Sequence, residues 1–242
     1  MTDERGAFWS AYYKQIVERG TPWLDYSNER VQAQTFALCL EAAGAVHGRR
    51  CLDVGCGWGQ FSLCLAALGA AEVTGIDRMD DLIAHHRKHH PDLRWATGSV
   101  QDRVFLEGLG TLDLVFLLEV LQYMPIRETI RGLWERLAPG GRLVAMVPNR
   151  ECPIIQGAVA RFEGRYAPPS PADLRAVLAE LPDCAFWRIR GLTFQEDQRH
   201  LPYAVSPWTA RPAWDTPPNR LLVVAEKSAE KSTETSALLP TV

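Results

Sequence analysis

Residues 53–59 read Asp-Val-Gly-Cys-Gly-Trp-Gly, three glycines at alternate positions just after a carboxylate. A short apolar run, Cys51–Val54, ends there, and an amphipathic run begins at Gln60. Glycines let a chain turn tightly and let a ligand approach the backbone closely. The helix that follows points free amides and a partial positive charge at that ligand. Asp77 stands 18 residues after Gly59, where the next apolar run, Glu72–Ile76, ends. A carboxylate there can accept hydrogen bonds from both hydroxyls of a ribose. The pattern asks for a nucleotide-like ligand, and two familiar ones fail. A dinucleotide fingerprint needs its third glycine at position 60, which is Gln60. A phosphate loop needs Gly-Lys-Ser/Thr after its glycines, and no such triplet follows.

Other titratable groups are scattered. Gln195–Asn219, rich in Pro, Trp and Tyr, carries Glu196, Asp197, His200 and Tyr203. His200 is the best candidate for a base or polar anchor, because histidine is the side chain most readily tuned near neutral pH. Glu119 and Tyr123 are alternatives, and Arg161, Arg165 and Tyr166 could meet an acidic acceptor. The run His85-His86-Arg87-Lys88-His89-His90 contains two i,i+4 histidine pairs, a spacing zinc can use. No third ligand stands nearby, and Arg87 and Lys88 would repel a cation. The run reads as a solvated helix end that suits the macrodipole, and no metal is expected.

The elements that must position these groups follow from periodicity. Residues 1–48 read as helical: Phe8, Trp9, Tyr12, Tyr13, Ile16 and Val17 form one apolar stripe, broken at Gly20-Thr21-Pro22. A second helix is predicted from a cap at Ser27 to about Ala43. Strands are then expected at 51–54, 72–76, 93–96, 112–118 and 142–147. Helices are expected at 60–68, from Asp80 or Asp81 until Pro91, and along the face Ile126, Ile130, Leu133, Trp134, Leu137. Strands alternating with helices mean an α/β fold, a parallel sheet covered on both faces. A helix at 171–181, a strand from 185 towards 194, a loop of about 25 residues and a strand at 221–226 complete the pattern. Residues 227–242 lack periodicity and are expected to be disordered.

The segments DVGCGWG at 53–59, Asp77, GSVQD at 98–102, DLVFLLEVLQYMP at 113–125 and RLAPGGRL at 136–143 together resemble the class I S-adenosylmethionine-dependent methyltransferases. The resemblance covers about residues 49–149. It implies a Rossmann-like, seven-stranded, mostly parallel sheet flanked by helices. It implies a helical lid at 1–48, a cofactor-binding domain at 49–226 with substrate-facing insertions near 150–170 and 195–219, and S-adenosylmethionine as cofactor. Gly55, Cys56 and Gly57 would line the methionine part, with Asp53 near its amino group. Asp77 would hold the ribose and Arg78 would flank the adenine. Ser99 and Val100 would face the adenine edge, with Gln101 or Asp102 taking the contact that an acid makes where this chain has Ser99. Leu118 would offer its carbonyl to the cofactor amino group. By the same likeness the N-terminal segment lies over the cofactor, so Tyr12, Tyr13 and Tyr26, with Trp9 and Trp23, join Glu119 and Tyr123 as candidate acceptor contacts. In this fold the sixth strand runs parallel to the others, so the loop bearing His200 should leave on the cofactor side.

Glu119-Val-Leu-Gln-Tyr replaces the Asn/Asp-Pro-Pro-Tyr/Phe motif of members that methylate bases or glutamine amides. That favours methylation of an O, N or C nucleophile of a small metabolite. The alternatives are a cyclisation or pericyclic step with the same cofactor, or an RNA or protein substrate. The 242 residues carry 26 Lys+Arg against 29 Asp+Glu, so no cationic field exists to attract nucleic acid. No apolar run approaches the roughly 20 residues of a membrane span, and the N-terminus does not read as a signal peptide. Six cysteines without a CxxC pair read as free thiols, which points to a cytoplasmic protein. The aromatic N-terminal stripe offers a face on which two chains can pair as a homodimer.

Overall fold

A computed structural model describes residues 7–9, 11–12, 14–15, 29–162, 164–194 and 203–229. Helix α1, Glu29–Ala43, precedes β1, Arg50–Val54, and α2, Gln60–Ala67. Next come β2, Glu72–Asp77; α3, Asp80–His89; β3, Arg94–Thr97; α4, Arg103–Gly108; and β4, Leu112–Leu118. A 3-10 turn at Leu121–Tyr123 leads to α5, Ile126–Arg136, and β5, Leu137–Pro148. The chain continues through α6, Pro153–Arg161; α7, Pro171–Leu178; β6, Cys184–Thr193; β7, Ala204–Val205; and β8, Arg220–Lys227.

The strands form one sheet in the order β3-β2-β1-β4-β5-β8-β6-β7. The first five are parallel. β8 is antiparallel to both β5 and β6, so β6 runs in the same sense as β1–β5. All parallel strands therefore end at one edge, and β8 begins there.

Alternation along the strands divides the core in two. In β4 and β5, Leu114, Phe116, Val144 and Met146 pack on one face with Cys39 and Val31 of α1 and Phe61 and Leu65 of α2. Val115, Leu117, Leu143, Ala145 and Val147 pack on the other with Ile130, Leu133 and Trp134 of α5 and Leu174 and Leu178 of α7. Both faces are covered because crossovers lay helices on each side. Helix ends are fixed locally. Ser170 and Asp173 form a reciprocal capping box at the start of α7, ahead of Pro171 at its first turn. Asp102 accepts from the amides of Val104 and Phe105 and caps α4.

The structure differs from the sequence reading in several places. The sheet has eight strands, because part of the 195–219 loop folds back on β6: Ala204 and Val205 pair with Thr193 and Leu192, and Thr209 exchanges both hydrogen bonds with Ile189. Two residues of strand carry no period to read. β5 starts at Leu137 because Leu137 pairs with Leu112 before a register shift. Helix α4, six residues long, is too short for a clear stripe, and α6 buries only Ile155. Ser27 and the tail beyond 229 lie outside the described residues.

Candidate active site

The glycine turn sits where β1 ends and α2 begins. Gly55, Gly57 and Gly59 have φ of 70°, 49° and 73°, a region closed to most residues with a Cβ. A Cβ on Gly55 would fall 2.5 Å from the Val120 side chain, and one on Gly59 would fall 2.9 Å from Trp95. Conformation and space both demand glycine at these two positions.

The turn is tied to β2. Gly55 and Cys56 donate their amides to the Ile76 carbonyl at 2.8 and 2.9 Å. Gly57 donates its amide to Asp77 Oδ2 at 3.0 Å, and Met79 donates to Asp77 Oδ1, also at 3.0 Å. Asp77 is half-buried with both oxygens fixed, and each carboxylate oxygen retains a lone pair. Arg78 follows it, partly exposed.

Asp53 lies 2% exposed beneath the turn and accepts a 2.6 Å hydrogen bond from the Ser62 hydroxyl of α2. Burial pushes its pKa up to about 6; the Ser62 hydrogen bond opposes this and nearby Asp77 adds to it. The Cys56 thiol is pushed well above its usual range, by burial first and then by Asp53 and Asp77. Ser99, half-buried, follows β3, Val100 is buried, and Gln101 is exposed. Asp102 spends its carboxylate on the α4 cap.

The histidine run departs from the sequence reading. His85 and His89 lie 4.3 Å apart, with tilted rings, along one side of α3. His86 is instead 2% exposed and donates Nε2–H to the Gly57 carbonyl at 2.7 Å. Its ring stacks on Trp95 at 4.4 Å. The signal was available: His86 continues the stripe of Leu82 and Ile83 at helical spacing.

A second group of residues gathers where β4, β5 and β8 meet. Leu118 ends β4, and the Glu119 amide donates to Met146 at 2.8 Å. Glu119 has φ 55°, an uncommon left-handed conformation for such a residue. Its carboxylate receives Arg220 Nε at 2.6 Å, and its carbonyl receives Gln122 Nε2 at 2.7 Å. Arg220 is nearly buried at the start of β8. Burial works against its charge, and Glu119, Tyr203 and Tyr166 together more than offset that, so the pKa is raised. Burial also raises the Glu119 pKa, against the pull of Arg220. Arg220 was invisible in the sequence, because its role depends on β8 running backwards into this edge.

Tyr203 is buried under the same edge, its ring tilted against Phe194 at 4.5 Å. Burial, with a smaller contribution from Glu119, raises its hydroxyl to about 12; Arg220 pulls the other way. Asn149 donates Nδ2–H to Pro218 at 3.0 Å, and Asn219 accepts from Phe194 N at 2.6 Å, which ties the ends of β5 and β6 to the chain entering β8.

Among the N-terminal residues, Trp9 is 5% exposed and donates Nε1–H to the Arg165 carbonyl at 2.7 Å. Its ring meets Tyr123 at 4.5 Å and Phe162 at 4.9 Å. Tyr12 lies edge-on to Phe162 at 5.5 Å, and the Arg165 guanidinium covers Phe8 at 4.5 Å. The structure thus brings Tyr12, Tyr123 and the 150–170 insertion together. Tyr13, Trp23, Tyr26, Glu196, Asp197 and His200 lie outside the described residues. Two surface cavities, of about 490 and 250 Å³, flank Arg175 of α7, and neither is lined by a residue of the turn. Among the described residues, no three His, Cys, Asp or Glu side chains group to hold a metal ion, and no helix is long and apolar enough to cross a membrane.

The family of methyltransferase domains matches residues 51–141, the stretch that carries the turn, Asp77 and β4. A ubiquinone biosynthesis O-methyltransferase of Xanthomonas axonopodis pv. citri is 34% identical over 203 residues, 73% of this chain and 82% of that protein. A trans-aconitate 2-methyltransferase of Delftia acidovorans is 32% identical over 129 residues, 52% of this chain and 47% of that protein. Among solved structures, the N-methyltransferase NodS of Bradyrhizobium japonicum in complex with S-adenosyl-L-homocysteine aligns with a TM-score of 0.59 and 20% identity, covering 86% of this chain and 92% of that one. A SAM-dependent methyltransferase of Archaeoglobus fulgidus aligns with a TM-score of 0.64 and 17% identity, covering 89% and 100%. These distant structures share the fold.

The residues present fit an adenosyl sulfonium. Gly55 and Gly59 leave no room for a side chain against Val120 and Trp95, and Asp77 has both oxygens fixed by backbone amides, an arrangement that suits a pair of hydroxyls. S-adenosylmethionine is the cofactor, and the chain belongs to the class I S-adenosylmethionine-dependent methyltransferases.

Proposed function

We propose that the chain transfers the methyl group of S-adenosylmethionine to an O, N or C nucleophile of a small metabolite. The observation that carries this is the pinned pair of the glycine turn and Asp77, with the Gly57 amide 3.0 Å from the carboxylate. Gly55, Cys56 and Gly57 line the methionine part, and Asp53 faces its amino group. Asp77 accepts from the ribose hydroxyls, Arg78 flanks the adenine, and Ser99, Val100 and Gln101 bound the adenine edge. Asp102, spent as a helix cap, leaves the adenine contact to Ser99 and Gln101. The Leu118 carbonyl receives the cofactor amino group.

The bound cofactor supplies an already activated methyl group. The chain has to align the acceptor and exclude water. Tyr12, Tyr123, Glu119 and the aromatic cluster around Trp9 form the acceptor wall, with Tyr13, Tyr26 and His200 as further candidates. Aromatic faces favour a planar phenol or heterocycle over a flexible amine. Support for a small acceptor comes from relatives whose names give ubiquinone biosynthesis and trans-aconitate, and from the balanced charge of the chain. We place the protein in the cytoplasm on its free thiols.

Calorimetry with S-adenosylmethionine and S-adenosylhomocysteine tests the cofactor placement, and micromolar binding is expected. A panel of phenols and heterocycles, read by product mass, tests the acceptor class. Methylation adds about 14 Da, whereas a cyclisation adds none. Activity only on RNA or protein would overturn the small-molecule reading.

A further inference from the structure

Gly57 is held at both ends. Its amide reaches Asp77 at 3.0 Å, and its carbonyl reaches His86 at 2.7 Å. The carbonyl can only accept, so Nε2 of His86 carries the hydrogen. The donor itself is fixed. His86 is 2% exposed, stacks on Trp95 at 4.4 Å, and belongs to an α3 face whose neighbours Leu82 and Ile83 are buried. Trp95 is anchored in turn by donating Nε1–H to His90 at 2.8 Å. The ring pair fits its surroundings closely. A Cβ on Gly59 would lie 2.9 Å from Trp95 and 3.1 Å from His86, and one on Gly75 would lie 2.5 Å from Trp95.

We propose that His86 is a positioning residue for cofactor binding: its Nε2–H holds the Gly57 carbonyl, which keeps the Gly57 amide aimed at Asp77 and the carboxylate turned towards the ribose. His86 acts through Gly57 and touches neither cofactor nor acceptor. A buried carbonyl that lost this donor would seek another by rotating its peptide, since an unpaired buried acceptor is costly. Gly57, with no side chain and φ of 49°, offers little resistance to that rotation. The proposal rests on the placement of the adenosyl group between the turn and Asp77.

The test is calorimetry with S-adenosylhomocysteine on the full chain, with two variants and one spectrum. His86→Phe keeps the stacked ring and removes the donor, and its affinity should fall by about tenfold. His86→Gln restores an amide donor at similar reach, and its affinity should return to within about threefold of wild type, because an N–H donor is what the carbonyl needs. Binding by His86→Phe within twofold of wild type, as an order of magnitude for no effect, would overturn the proposal. So would a loss in His86→Gln as large as in His86→Phe, which would make the ring's bulk the whole contribution. If neither variant folds, the nitrogen-15 spectrum of the wild-type imidazole decides. A hydrogen on Nε2 is expected, and a bare Nε2 overturns the proposal. A wild-type chain that bound no S-adenosylhomocysteine would strike the cofactor placement instead, and the imidazole spectrum would still decide the hydrogen bond.

Discussion

The carboxyl edge of the sheet has two halves built on different principles. The β1–β2–β3 half is assembled from one stretch of chain: Asp53 meets Ser62, and Gly57 meets both Asp77 and His86, all within residues 53–86. The half formed by β4, β5 and β8 is assembled from distant pieces. Glu119 meets Arg220, Trp9 meets Arg165, and Asn149 meets Pro218. The cofactor half is therefore a local motif that tolerates little change, because glycine conformation and close approach leave no slack. The half bearing Glu119 and Arg220 is a convergence of side chains from distant parts of the chain, whose identities can vary while the strands stay in place. A shared cofactor and differing acceptors are what such a division permits.

Breaking the distant half should cost the most stability. Arg220→Ala leaves the Glu119 carboxylate without its partner, and a loss of about 3 kcal/mol is expected in urea unfolding, at the lower end for a buried pair. The lower end applies because the Glu119 side chain keeps 32% exposure. A loss below about 1 kcal/mol would make the pair no stronger than a surface contact.

The local half should respond in binding. Asp77→Ala removes two charge-assisted acceptors, and affinity for S-adenosylhomocysteine should fall roughly 10–100-fold by calorimetry. Unchanged affinity would count against the ribose contact.

Asp53 sharpens the comparison through pH. Its folded pKa of about 6 lies above the model-peptide value, so the folded state holds more protons between roughly pH 4 and 6. Its contribution is favourable at the acid end and is lost as pH rises through about 6. Asp53→Asn should therefore raise stability by about 2 kcal/mol at pH 7.5, a point about 1.5 units beyond the titration, and should flatten the slope of stability against pH in that window. An unchanged slope would show that the carboxyl titrates normally.

The smallest effect is expected at the aromatic cluster. Trp9→Phe keeps the packing but removes the hydrogen bond to Arg165, at a cost of about 1 kcal/mol in thermal unfolding. A loss as large as that of Arg220→Ala would mean that the ring itself, through Tyr123 and Phe162, holds the acceptor half together.

What was legible in the sequence follows the same division. The turn, Asp77 and the five parallel strands were readable because glycine spacing and apolar periodicity are local signals. His86 was misread as solvated, since a charged and histidine-rich run hid the apolar stripe it shares with Leu82 and Ile83. Arg220 could not be read, and Tyr203 was readable only as a titratable residue of the loop, because only the reversed β8 and the loop folded back on β6 bring them to Glu119 and Phe194. The edge strand β7 is too short to leave a periodic trace.

Cys56 lies in the middle of a turn built for an alkylating reagent. A thiolate is among the best methyl acceptors in protein chemistry, whereas the protonated thiol is a poor one. Burial and two neighbouring carboxylates keep this sulfur protonated. On the proposed cofactor placement, a thiol whose pKa is raised in this way competes poorly with the acceptor for the methyl group.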